Sequence, residues 1–106
     1  MKIFATAFAA GLLAVAHVSP GLADDEPEFG VLVEKPGVEE TFIYCTACHS
    51  ERIVAQQGLT RKDWIDLLEW MVDEQEMEPI EEPDYTIIID YLATYYNTDR
   101  PNFPGK

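Results

Sequence analysis

The chain has 106 residues, with 20 Asp and Glu against 7 Lys and Arg, for a formal net charge of -13. A surface this acidic is repelled by nucleic acid and anionic lipid and excludes both as partners, and the length allows only one small domain.

Residues 1–23 have the order of a secretory signal peptide. Lys2 is a short basic start, Ile3–Val18 an apolar run, and Ser19-Pro20 a break. Gly21-Leu22-Ala23 then sets small residues at the -3 and -1 positions of a cleavage site before Asp24. An uncleaved anchor is the rival, but the run is shorter than the roughly 20 apolar residues that a membrane span needs. No cysteine follows the site, which disfavours a lipoprotein. The expectation is export to the periplasm, cleavage near Ala23, and no membrane span in the mature chain. Lys2 and His17 leave with the leader, so six basic residues face 20 acidic ones, a net charge of -14, and His49 is the one histidine left.

Residues 24–36 form an N-terminal arm without helical period, expected to be extended. Phe29, Val31, Leu32 and Val33 are its candidates for packing across a helix. A domain over 37–98 follows. Its first helix is predicted from Gly37, with Glu39 and Glu40 in the first turn, where the helix dipole favours acid. Val38, Phe42, Cys45 and His49 recur at spacings of 4, 3 and 4 and are predicted to share one face.

Ser50–Gln57 reads as an irregular helical turn ended by Gly58. Thr60 is the predicted N-cap of the next helix, with Asp63 as its capping-box partner, and Trp64, Leu67, Leu68, Met71 and Val72 form an apolar stripe. A loop over Gln75–Glu82 contains Met77 and Pro79. Pro83 opens the last helix, with Ile87, Ile88, Tyr91, Leu92 and Tyr95 facing inward and Asn97 as its C-terminal cap. Residues 99–106 are expected to be a loose or partner-bound tail. No run of alternating β-branched residues calls for a sheet, so the predicted class is all-α.

The chemistry is concentrated in Cys45-Thr46-Ala47-Cys48-His49. Cysteines three apart on a helical turn share a face, and the C-x-x-C-H order is the attachment signature of a c-type haem. Two thioethers tether such a group and the imidazole supplies a proximal ligand. A structural zinc site needs four Cys or His ligands, and the mature chain has two Cys and one His. A thioredoxin-like pair needs an α/β surround that is missing. One covalent haem c also suits a chain too short for a large side-chain core, and the haem-free chain is expected to fold poorly.

What fills the second axial place separates carriers from enzymes and gas binders. A second histidine is excluded by count. Methionine is the natural candidate, from Met71 or Met77. Met71 lies on the apolar stripe, where packing accounts for it. Met77 stands in a loop among Gln75, Glu76, Glu78 and Pro79, where packing does not, and is preferred.

This pattern resembles class I monohaem c-type cytochromes: a haem motif on an N-terminal helix, a methionine from a loop, and a C-terminal helix crossing the first. The resemblance covers nearly all of the mature chain. The runs Val54-Ala55-Gln56-Gln57-Gly58-Leu59, Arg61-Lys62-Asp63-Trp64, Trp70 to Met77 and Tyr91-Leu92-Ala93 are similar to the small cytochrome subunits or acceptors of bacterial periplasmic sulfite dehydrogenases. It implies a cytochrome c fold around one covalent haem and an electron-transfer protein without catalysis of its own. The implied partners are a periplasmic dehydrogenase with molybdenum, and a terminal oxidase or another cytochrome as recipient. An enzyme or gas sensor with an open or displaceable sixth site is the alternative. Two departures stand out. Gln57-Gly58-Leu59 lacks the proline that often follows the glycine in the family, and Glu76 precedes Met77 where relatives often carry a small residue.

Remaining candidates are mixed. Arg52 and Arg61 are potential propionate partners or solvated surface charges. Trp64 and Tyr91 are core residues or contacts of the porphyrin. Trp70, off the main stripe, is expected to pack under the N-terminal arm, with exposure marking a docking residue instead. Tyr95 and Tyr96 are read as packing. Asp73, Glu74, Glu76, Glu78, Glu81 and Glu82 are read as surface charge able to orient a basic partner.

Overall fold

A computed structural model describes residues 11, 14–18, 21 and 26–101. The leader and its cleavage site, and residues 102–106 of the tail, fall largely or wholly outside them. The described residues contain four helices and no strand: α1 (Val38–Cys45), α2 (Glu51–Ala55), α3 (Arg61–Glu74) and α4 (Asp84–Tyr95). The all-α expectation is met. No helix among the described residues is long and apolar enough to cross a membrane.

Helix α1 starts at Gly37, whose φ of 97° lies in the left-handed region open to glycine. A Cβ at this position would sit 2.8 Å from the Tyr91 Cβ and 3.1 Å from the Ile87 carbonyl oxygen, so the absence of a side chain lets α1 approach α4. The helix ends earlier than its apolar spacing suggests. Both the backbone N–H and the hydroxyl of Thr46 donate to the Phe42 carbonyl, at 2.9 and 2.6 Å, and close the last turn at Cys45. Thr46, Ala47 and Cys48 form a turn, so the predicted common face through Cys48 and His49 is corrected: both lie past the helix.

The expected irregular turn is a short helix, α2, capped by the Ser50 hydroxyl, which accepts from the Arg52 N–H at 3.2 Å. Thr60 caps α3 as predicted. Its hydroxyl accepts from the Asp63 N–H at 3.1 Å and donates to the Asp63 carboxylate at 2.8 Å. Of the α3 stripe, Trp64 and Leu68 are buried and Leu67, Met71 and Val72 partly so. Helix α4 supplies the centre of the core, with Ile88, Ile89, Tyr91 and Leu92 all buried. Asn97 closes its end by donating to the carbonyls of Ala93 and Thr94 at 3.2 and 3.0 Å.

The arm is turned rather than extended. Gly30 N–H bonds to Pro27 and Leu32 N–H to Phe29, at 3.0 and 3.2 Å. Leu32 enters the core and Phe29 meets Phe42 edge to face at 5.8 Å, whereas Val31 and Val33 stay exposed. The Val33 peptide units are held by two buried tyrosines of the C-terminal segment. Tyr91 donates its hydroxyl to the Val33 carbonyl at 2.7 Å, and the Val33 N–H donates to the Tyr96 hydroxyl at 3.1 Å. The start of the tail is anchored rather than loose. Arg100 donates to the Ala55 carbonyl at 2.6 Å and stacks its guanidinium 4.7 Å from the Tyr96 ring centre.

Candidate functional site

A cavity of about 270 Å³ opens between residues 45–49, α3 and the loop after it. Its deep walls come from buried residues of three helices: Val54 of α2, Trp64 and Leu68 of α3, and Leu92 of α4. Cys45, Cys48, His49, Met71 and Met77 all line it. Tyr44, Trp70 and Gln75 complete the lining. No Asp, Glu, Lys or Arg is among these residues, so the walls are apolar apart from a few polar tips. The lining is that of a small-molecule site, and the volume falls just below the roughly 300 Å³ at which such sites begin.

Trp64 is fixed in place because its indole N–H donates to the Tyr96 carbonyl at 2.9 Å. The aromatic face is thereby held against the cavity with no unpaired polar atom. Tyr91, the other expected porphyrin contact, is instead committed to Val33 and does not line the cavity. Burial pushes its phenol well above the ordinary value.

Cys45 is partly buried and Cys48 exposed. Burial pushes the Cys45 thiol up to about 11, so its thiolate is scarce at neutral pH. The His49 Nδ1 lies 3.2 Å from the Ser50 carbonyl. A carbonyl can only accept, so this contact is a hydrogen bond when Nδ1 carries the proton, which leaves the Nε2 lone pair for a metal. In that tautomer the Ser50 carbonyl orients the imidazole ring.

The loop carrying Met77 is folded back onto α3. Gln75, the C-cap, donates its N–H to the Met71 carbonyl at 3.1 Å, and Met77 donates to the same oxygen at 3.0 Å. Between them Glu76 takes a φ of 59°, the left-handed conformation that glycine adopts without strain. This chain meets the turn with a glutamate rather than a glycine.

Several expectations are redistributed. Neither Arg52 nor Arg61 lines the cavity, and Arg61 pairs with Asp90 at 2.6 Å on the half-exposed faces of α3 and α4. Trp70 is half exposed and lines the cavity, which corrects the expectation that it packs under the arm. Tyr44 was not singled out from sequence. It lines the cavity and donates its hydroxyl to Asp84 at 3.1 Å, joining the end of α1 to the start of α4. The Asp84 carboxylate that accepts this bond raises the Tyr44 pKa. Its place beside Cys45 was the only signal in the sequence.

The donor set suits a flat apolar ring carrying iron: two sulfurs for tethering, one imidazole with a free nitrogen, two thioethers, and uncharged walls. Among the described residues no three His, Cys, Asp or Glu side chains are grouped to hold a bare metal ion. No family model, curated protein or solved structure matches the chain.

Proposed function

We propose that this protein is a small monohaem c-type cytochrome that carries single electrons in the periplasm. The observation that supports it best is the convergence of Cys45, Cys48, His49, Met71 and Met77 on one apolar cavity. Haem, when bound, supplies a one-electron iron couple. The residues then divide the work of holding it. Cys45 and Cys48 would tether it covalently, His49 would offer Nε2 to the iron, and Met77 would offer its thioether. Val54, Leu68, Leu92 and Trp64 exclude water from the ring.

A carrier is favoured over an enzyme or gas sensor because two thioethers line the same cavity, so one is available to close the sixth place. The family resemblance extends the reading to electrons received from a periplasmic dehydrogenase, with a molybdenum sulfite dehydrogenase as the leading partner, and passed to an oxidase or second cytochrome.

The test is expression in a host with c-type haem attachment, followed by a haem peroxidase stain of a denaturing gel. Stain should comigrate with the exported chain and vanish in the Cys45→Ala, Cys48→Ala double variant. An unstained wild-type chain would sink the proposal. Carbon monoxide should bind the reduced native protein poorly at neutral pH, and ready binding would turn the reading toward the sensor or enzyme.

A further inference from the structure

The cavity walls are uncharged, but one hydrogen bond joins them to a charge outside. Tyr44, a wall residue next to Cys45, donates its hydroxyl to the Asp84 carboxylate at 3.1 Å, in partly buried surroundings. The polar contacts of Trp64 and His49, by contrast, run to backbone carbonyls. Asp84 stands in the first turn of α4, where the helix dipole favours negative charge, and residues 63–99 hold no Lys or Arg to neutralise it. The Glu81 carboxylate acts on Tyr44 with the same sign.

A carboxylate can only accept, so the phenolic proton is spent on Asp84 and the Tyr44 oxygen keeps only lone pairs for any other neighbour. The hydroxyl dipole is thereby fixed with its positive end away from the ring, backed by a full negative charge. Across an apolar wall such a charge is felt more strongly than through water. Between the two states of an iron couple it favours the oxidised one, which carries one more positive charge.

We infer that Asp84, acting through the Tyr44 hydroxyl, is a positioning residue that holds the electron-transfer site toward its oxidised state and so lowers its reduction potential. This role rests on the carrier reading for the iron it acts on, whereas the hydrogen bond behind it does not.

The test uses the full chain from the exporting host, with the haem stain read first and the potential then measured by spectroelectrochemical titration at neutral pH. Tyr44→Phe and Asp84→Asn should each raise the midpoint potential, changing the ratio of reduced to oxidised iron at a fixed electrode potential by about two- to fivefold. The double variant should match the larger single shift and not the sum, because both changes break one bond. Glu39→Gln, which removes an equal charge from the exposed start of α1, should move the potential less. Carbon-13 NMR of tyrosine labelled at Cζ reads the bond itself: Asp84→Asn should let the Tyr44 phenol ionise at lower pH, with or without haem. A stained chain whose potential ignores Asp84→Asn, responds as much to Glu39→Gln, or shifts additively in the double variant overturns the role and leaves the carrier standing. An unmoved Tyr44 titration removes the bond on which the role depends, and an unstained chain sinks the carrier and the role together.

Discussion

Met77 donates its backbone N–H to the carbonyl of Met71 at 3.0 Å, so the two thioethers proposed as alternative axial ligands are tied together through the main chain. The bond fixes where the loop leaves α3 without using either sulfur. Met71 lies on a helix, whereas Met77 follows a turn.

With haem bound, Met77→Ala should therefore remove the weak far-red absorption of thioether-ligated ferric iron, and Met71→Ala should preserve it. The backbone bond survives both changes. The reverse pattern would transfer the ligand role to Met71.

Glu76 is the strained step of that turn. A non-glycine residue at φ 59° costs on the order of 1–2 kcal/mol, part of which glycine forfeits through its freer unfolded chain. Glu76→Gly should raise stability by about 0.5–1 kcal/mol in urea unfolding. A loss of stability would mean that the glutamate side chain contributes something its exposure does not reveal.

Gly37 predicts the opposite sign. Alanine there meets both a φ of 97° and a Cβ only 2.8 Å from that of Tyr91. Gly37→Ala should destabilise by about 1–3 kcal/mol, because α1 and α4 must separate. Unchanged unfolding would remove this contact from the forces that hold the helices together.

Electron exchange with a basic partner should slow steeply as ionic strength rises, because the screening length falls to about 8 Å near physiological salt. Stopped-flow rates across a salt series would show it. A flat profile would reduce the acidic residues to solubility.

Local chemistry was legible in the sequence. Thr60 with Asp63, the apolar stripe through Trp64 and Leu68, and Asn97 at the end of α4 each depend on neighbours within a few positions, so spacing alone reveals them. The tyrosine contacts to Val33 were not legible, because no periodicity links residues 58 and 63 positions apart. The end of α1 was misread for a related reason. Apolar spacing continued through His49, while the competing signal was one threonine whose hydroxyl bonds back to the helix. In the site, the cysteines, histidine and methionines were readable from motif and count. The placement of Trp70 and Tyr44 depended on how α3 and α4 close around the cavity.

The hold of Tyr91 and Tyr96 on Val33 also sets an order of events. Both partners lie near the end of the chain, and Gly37 likewise finds Ile87 and Tyr91 only after α4 exists. A growing polypeptide cannot lock the segment around Val33 until residues 91 and 96 have emerged. During that interval Cys45, Cys48 and His49 are already present and not yet enclosed by α3 and α4. The later emergence of α4 thus leaves an interval in which these three side chains are reachable before the cavity closes over them.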